Sequence, residues 1–151
     1  MIMYKIPVSV LVVIYTKDLQ VLLLERADHP GYWQSVTGSQ DAGETLRQTA
    51  IREVLEETGL NALEYDLCDW QTSNQYEIYE EWRWRYPPGV TINTEHAFGL
   101  CLPETMPIKI AAREHLNYIW LPWQQACEKV FSQTNAKAII GLSDIVGRVG
   151  I

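Results

Sequence analysis

Glu53, Glu56 and Glu57 stand together in the run Arg52-Glu53-Val54-Leu55-Glu56-Glu57. On a helix, at about 100° per residue, these three carboxylates fall within an arc of about 100°. Like charges so close repel one another. A hard divalent cation resolves that conflict, because Mg2+ takes carboxylate oxygens and keeps water and phosphate oxygens as its other ligands. The competing reading is a solvated acidic face. Residues 45–58 hold no Pro or Gly, and Gly59 follows as a natural terminator, so the run is predicted to be helical. Ala50, Ile51, Val54 and Leu55 fill the arc beside the glutamates and predict a flank that packs on a core.

Further side chains outside this run could do chemistry. Glu114 and His115 open the segment Glu114-His115-Leu116-Asn117-Tyr118-Ile119-Trp120-Leu121. A loop acid and a histidine at the start of a strand are commonly structural. Arg26 could hold a phosphate oxygen through its fork of donors or lie on the surface. The same choice applies to Arg83 and Arg85. Trp33 lies five positions before Gly38 and could stack on a planar ring or fill core.

These residues need a scaffold, and the pattern supplies one. Residues 7–15 are continuously apolar and β-branched, as in a central strand. A return strand is predicted over 20–25, a loop over 27–31 and a short extended piece over 32–37. Gly43 gives backbone freedom ahead of the helix, and Glu44 suits the positive end of its dipole. Strands are predicted over 63–70, 75–86, 94–102 and 115–121. The second of these alternates Trp82, Trp84 and Tyr86 against Arg83 and Arg85, so its apolar face reads as core or as a dimer contact. Helices are predicted over 122–131 and 135–146. Strands before and after a central helix, with a helical end, give an α/β (α+β) class with a mixed β-sheet between helices.

Composition narrows the choice of function. At 151 residues the chain fits one domain, 1–151. A formal net charge of -7 argues against a non-specific nucleic-acid or membrane binder and suits metal-dependent handling of phosphates. Cys68, Cys101 and Cys127 are odd in number and lack ligand spacing, which points to a reducing, cytoplasmic setting. The apolar run near the N-terminus is too short to span a bilayer.

Gly38, five residues, Glu44, seven residues, Arg52-Glu53, an aliphatic, any residue, Glu56-Glu57, any residue, Gly59 and an aliphatic: this resembles the Nudix box with every defined position filled. The resemblance implies an α/β/α sandwich and a hydrolase of phosphoric anhydride bonds. It implies Mg2+, with Mn2+ as a substitute, held by Glu53, Glu56 and Glu57 with help from the carbonyl of Gly38, while Arg52 and Glu44 brace the loop and helix. Glu114 matches a family glutamate in an E-H-x-x-Y-x-W-L pattern that serves as metal ligand or general base. Two more stretches, Tyr32-Trp33-Gln34-Ser35-Val36-Thr37-Gly38-Ser39 and Arg83-Trp84-Arg85-Tyr86-Pro87-Pro88-Gly89-Val90-Thr91-Ile92-Asn93-Thr94-Glu95, resemble the bacterial branch acting on 7,8-dihydroneopterin triphosphate. That implies release of pyrophosphate from this small-molecule triphosphate, an early step toward folate, with the ring gripped by Trp33 and polar neighbours such as Gln34. A broader nucleoside triphosphate or dinucleoside polyphosphate pyrophosphatase, or a catalytically silent Nudix-fold binding domain, stands as the alternative.

Overall fold

β1 (Val8–Thr16, VSVLVVIYT) is buried along nearly its whole length. Successive side chains of a strand point to opposite faces, so a continuous apolar run requires cover on both sides. The cover is there. Val10, Val12 and Ile14 pack with Val54 and Ala50 of a helix, α1 (Leu46–Thr58), on one face. Val13 packs on the other with Ala126 of α2 (Trp123–Lys129) and Ile139 of α3 (Gln133–Ile140). Each such aliphatic side chain contributes about 1.5–3 kcal/mol when fully buried. The computed structural model describes residues 3–144.

The remaining strands are β2 (Gln20–Arg26), β3 (Trp33–Gln34), β4 (Val36–Ser39), β5 (Asp66–Glu77), β6 (Ile92–Leu102) and β7 (His115–Pro122). They form one seven-stranded sheet in the order β3-β2-β1-β6-β5, with β4 also on β1 and β7 on β2. β1 and β6 run parallel while the other pairs are antiparallel. This is the mixed sheet between helices that the strand and helix pattern predicts. Among the described residues no helix is long and apolar enough to cross a membrane.

α1 is fixed at both ends by its own sequence. Thr45 and Gln48 close a capping box, and Gly59, at φ 77, ends the helix with its N–H on the Leu55 carbonyl. An N-terminal cap of this kind contributes about 1 kcal/mol. The buried stripe differs from the expected flank. It runs through Ala50, Glu53, Val54 and Glu57, while Leu55 is 53% exposed and Glu56 is also exposed. Positions three and four apart share a helix face, so two of the three glutamates point inward with the core residues.

The region 63–86 also differs from the two predicted strands. β5 is one strand, carried past a register shift between Asp69 and Thr72 by Gln71 at φ 55. Leu63 belongs instead to a 3-10 turn, Ala62–Glu64. Beyond Glu77 the chain leaves the sheet and coils into a second 3-10 helix, Glu80–Arg85. A 3-10 helix repeats every three residues, so Tyr79, Trp82 and Arg85 share a face and the alternation of tryptophan and arginine has no structural counterpart. The C-terminal helix begins at Gln133, and Val146, its expected end, lies outside the described residues.

Candidate active site

β4 lies antiparallel on β1, with Gly38 opposite Val10, and this pairing carries Gly38 against α1. The approach is very close. A Cβ at Gly38 would stand 2.0 Å from the carboxyl carbon of Glu53, so only glycine leaves room for that carboxylate. Gly43, at φ 82, allows the turn that returns the chain to α1.

Arg52 ties this turn to the helix. Its Nε donates to Glu44 Oε2 at 2.7 Å, and its Nη2 donates to Glu44 Oε1 and to the Ser39 carbonyl, both at 3.0 Å. Its Nη1 donates to Glu53 Oε1 at 2.7 Å and to Glu56 Oε2 at 3.3 Å. Glu44 also accepts from the Asp41 N–H and the Thr49 hydroxyl. The Arg52 guanidinium, together with these donors, pulls the Glu44 carboxyl down to about 2. Arg52 therefore aims Glu53 and pins the loop with one planar fork.

Glu57 is the most enclosed of the acids, at 2% exposure. Its Oε1 lies 3.4 Å from His115 Nε2, while its Oε2 has no hydrogen-bond partner. Burial pushes the Glu57 carboxyl well above the usual range, and the charges of Glu53 and Glu114 add to the push. Burial raises Glu53 as well. His115 is held down at about 4, by burial first and then by the charge of Arg26, so its imidazole is neutral at pH 7. Ligand-type atoms of Glu57, Glu114 and His115 all lie within 4.8 Å of one another. An orphaned buried oxygen costs about 1–3 kcal/mol, more when it is charged. A divalent cation would meet that oxygen and offset the crowding of carboxylates, and the carboxylates of Glu57 and Glu114 beside His115 offer the oxygens a hard cation prefers. The residues present fit such an ion.

These carboxylates open into a cavity of about 1470 Å3. Part of its wall is aromatic. Tyr79 stacks on Trp82 with centroids 5.1 Å apart and meets Phe131 edge-on at 6.4 Å. The Arg26 guanidinium lies 4.6 Å from the Trp82 centroid, held there by two 2.7 Å bonds to Asp28 and one of 2.9 Å to Gln34. Lys5 also lines the cavity, its ammonium pushed down by burial and by Arg85 and pulled back up by Glu53 and Glu114.

Residues 5–140 match the family model described as the NUDIX domain. The chain belongs to the NUDIX family. Dihydroneopterin triphosphate diphosphatase of Escherichia coli K12 is 47% identical over 139 residues, covering 90% of this chain and 91% of that protein. The enzyme of the same name from Haemophilus influenzae is 45% identical over 142 residues, covering 92% and 89%. The solved structure of the Escherichia coli dihydroneopterin triphosphate pyrophosphohydrolase superposes with a TM-score of 0.86, covering 90% of this chain and 94% of that one.

In this Nudix protein Gly38, Arg52, Glu53, Glu57 and Glu114 line the cavity together, and so do Arg26, Gln34 and Arg85. Glu44 stands behind Arg52, and Glu56 faces solvent within reach of it. Two residues expected at the substrate are elsewhere. Gln34 and Trp33 are neighbours on β3 and point to opposite faces. Gln34 meets Arg26, whereas Trp33 forms a bridge with Val130 and packs against the buried cluster of Val13, Leu23 and Ala126, under the Lys129 ammonium. Arg83 turns back to the Ile78 carbonyl and Glu77.

Lys5, Tyr79, Trp82 and Phe131 were missed in the sequence. The signal for two of them was the three-residue spacing of Tyr79, Trp82 and Arg85. Trp82→Ala is expected to reduce kcat/KM for a ring-bearing triphosphate about ten- to a hundredfold, the worth of about 1–3 kcal/mol of stacking. Trp33→Ala is expected to lower the melting temperature and all activities alike. Kinetics with a ring-bearing triphosphate and with tripolyphosphate, plus a melting curve for each variant, check both outcomes. A ring-selective loss for Trp33→Ala would contradict this placement.

Proposed function

We propose that this Nudix protein, acting over residues 1–151 as one hydrolase domain, hydrolyses 7,8-dihydroneopterin triphosphate to dihydroneopterin monophosphate and pyrophosphate, with Mg2+ as its ion and Mn2+ as a substitute. The observation that carries the reading is the continuity of one cavity, from the carboxylates of α1 to the aromatic wall at Trp82. The names of relatives 45–47% identical over nine-tenths of the chain supply the substrate.

Glu53, Glu56, Glu57 and Glu114, with the Gly38 carbonyl, would hold the ion. A bound divalent cation stabilises charge on phosphate oxygens and lowers the pKa of a bound water. Lys5 and Arg85 line the same cavity and would neutralise the remaining phosphate charge. A water oxygen bonds to phosphorus, the anhydride P–O bond breaks, and pyrophosphate leaves with the electron pair. Glu114 takes the proton from that water, since its carboxylate reaches the site while remaining exposed to solvent. Arg52 keeps Glu53 aimed throughout.

A Mg2+-dependent assay of pyrophosphate release over dihydroneopterin triphosphate, dGTP, GTP and diadenosine tetraphosphate tests the proposal. The pterin is expected to give the highest kcat/KM. Preference for diadenosine tetraphosphate would move the protein to the dinucleoside polyphosphate class, and release from none of them would mark a silent domain.

A further inference from the structure

Glu95 lies on β6 and lines the cavity, yet the chemistry above does not use it. It is 7% exposed, and among the described residues it belongs to no ion pair. Burial pushes its carboxyl up to about 7, with only the Thr134 hydroxyl acting against that. A carboxyl placed this way costs stability unless something meets it.

The floor around it is built. Ser9 is the register partner of Glu95 on β6 and of Ser39 on β4. Asn93, fully buried, donates to Ser9 Oγ at 2.7 Å and to the Tyr76 hydroxyl at 3.1 Å, which fixes both beside Glu95. Two strand spacings, about 10 Å, separate Glu95 from the strand that brings Gly38 to Glu53. A ring seated near Glu95 could therefore keep its phosphate chain at the carboxylates of α1.

An ionised carboxylate only accepts hydrogen bonds, and it accepts two parallel ones well. Among common heterocycles, a ring N–H beside an exocyclic amino group belongs to the 2-amino-4-oxopyrimidine edge of pterins and guanines. Adenine and cytosine present an acceptor beside their amino group, and uracil presents a single N–H between carbonyls. We propose that Glu95 is a specificity-determining residue that accepts both N–H bonds of a 2-amino-4-oxopyrimidine edge, so that the cavity selects pterins and guanines over adenines and pyrimidines. This rests on reading the cavity as a site for a ring-bearing triphosphate.

The test uses Glu95→Gln, which keeps the shape and turns one acceptor into a donor. Binding of 7,8-dihydroneopterin, a ring without phosphates, is measured by calorimetry in EDTA, and kcat/KM is measured for dihydroneopterin triphosphate, GTP and ATP with Mg2+. The variant is expected to lose about ten- to a hundredfold in dihydroneopterin affinity, the discrimination worth of a bidentate pair. It should lose as much in kcat/KM for the pterin and guanine substrates, mostly through KM, while ATP hydrolysis holds or rises. Folding is controlled by the melting curve. The folded-state pKa of Glu95 is raised, so wild-type stability falls relative to Glu95→Gln as pH rises from about 4.5 to about 7, and the difference stays level above that.

Equal dihydroneopterin affinity in wild type and variant, or an equal loss on ATP, would overturn the assignment. The function proposed above fails separately. Absent pyrophosphate release from the pterin triphosphate, with ring binding still dependent on Glu95, would refute that function and uphold this residue's role.

Discussion

Glu57→Gln is expected to lower kcat about a thousandfold at saturating Mg2+ and to leave the fold intact. The amide keeps the size of the side chain in a place that is 2% exposed. It removes the charge that an ion would use. Metal ions contribute several kcal/mol of transition-state stabilisation, and about 4 kcal/mol corresponds to a thousandfold in rate. The core beneath is untouched, because Val54 and Ala50 pack independently of the carboxylate's charge. A neutral side chain also suits the metal-free site, where Glu57 is already pushed toward its uncharged form by burial and by Glu53 and Glu114.

The same variant gives a second readout that does not depend on turnover. An ion that binds the folded state alone stabilises it by about 2.7 kcal/mol at a hundredfold excess over its Kd. Wild type should therefore melt higher with Mg2+, and Glu57→Gln should gain much less. Near-normal turnover with an unchanged circular dichroism spectrum would remove Glu57 from the ion site.

Glu114→Gln is the second large effect. Glu114 meets Glu57 and His115 within 4.8 Å, yet it comes from the loop before β7 and is exposed to solvent. A group that takes a proton from water contributes about 10²–10⁴-fold, so kcat should fall by that amount. Raised Mg2+ separates the two roles that remain open to a carboxylate here. Recovery of most of the activity at high Mg2+ would make Glu114 a ligand alone. Persistence of the loss is the expected result, and a change below a few-fold under both conditions would make it structural.

The sequence was most legible where one local rule decided the structure. The helix α1 follows from its uninterrupted run and its terminator Gly59, and the strand β1 from a continuous apolar run that only cover on both faces explains. Glu53 and Glu57 were legible through spacing, because residues four apart share a helix face, whereas Glu56, which the same spacing groups with them, faces solvent. Tertiary placement decided the rest. Whether Trp33 or Gln34 enters the cavity turns on which face of a two-residue strand meets α2, and both residue types fit either side. The segment after Glu77 misled because alternating tryptophan and arginine satisfies a period of two, while Tyr79, Trp82 and Arg85 satisfy a period of three. Lys5 reaches the cavity because its backbone N–H bonds to the Arg85 carbonyl, a contact across most of the sheet's length in sequence. Glu95 lies within the second resembling stretch, but its burial and its position beside Thr134 and Tyr76 come only from the fold.

The proposed reaction is metal-dependent release of pyrophosphate from a pterin triphosphate at the carboxylates of α1. Phosphorus NMR of the purified protein with 7,8-dihydroneopterin triphosphate, followed before and after addition of EDTA to a Mg2+ reaction, tests it most directly. Equal amounts of pyrophosphate and dihydroneopterin monophosphate should accumulate with Mg2+ and stop accumulating when EDTA is added. Orthophosphate as the first product, or turnover that EDTA leaves unchanged, would contradict it.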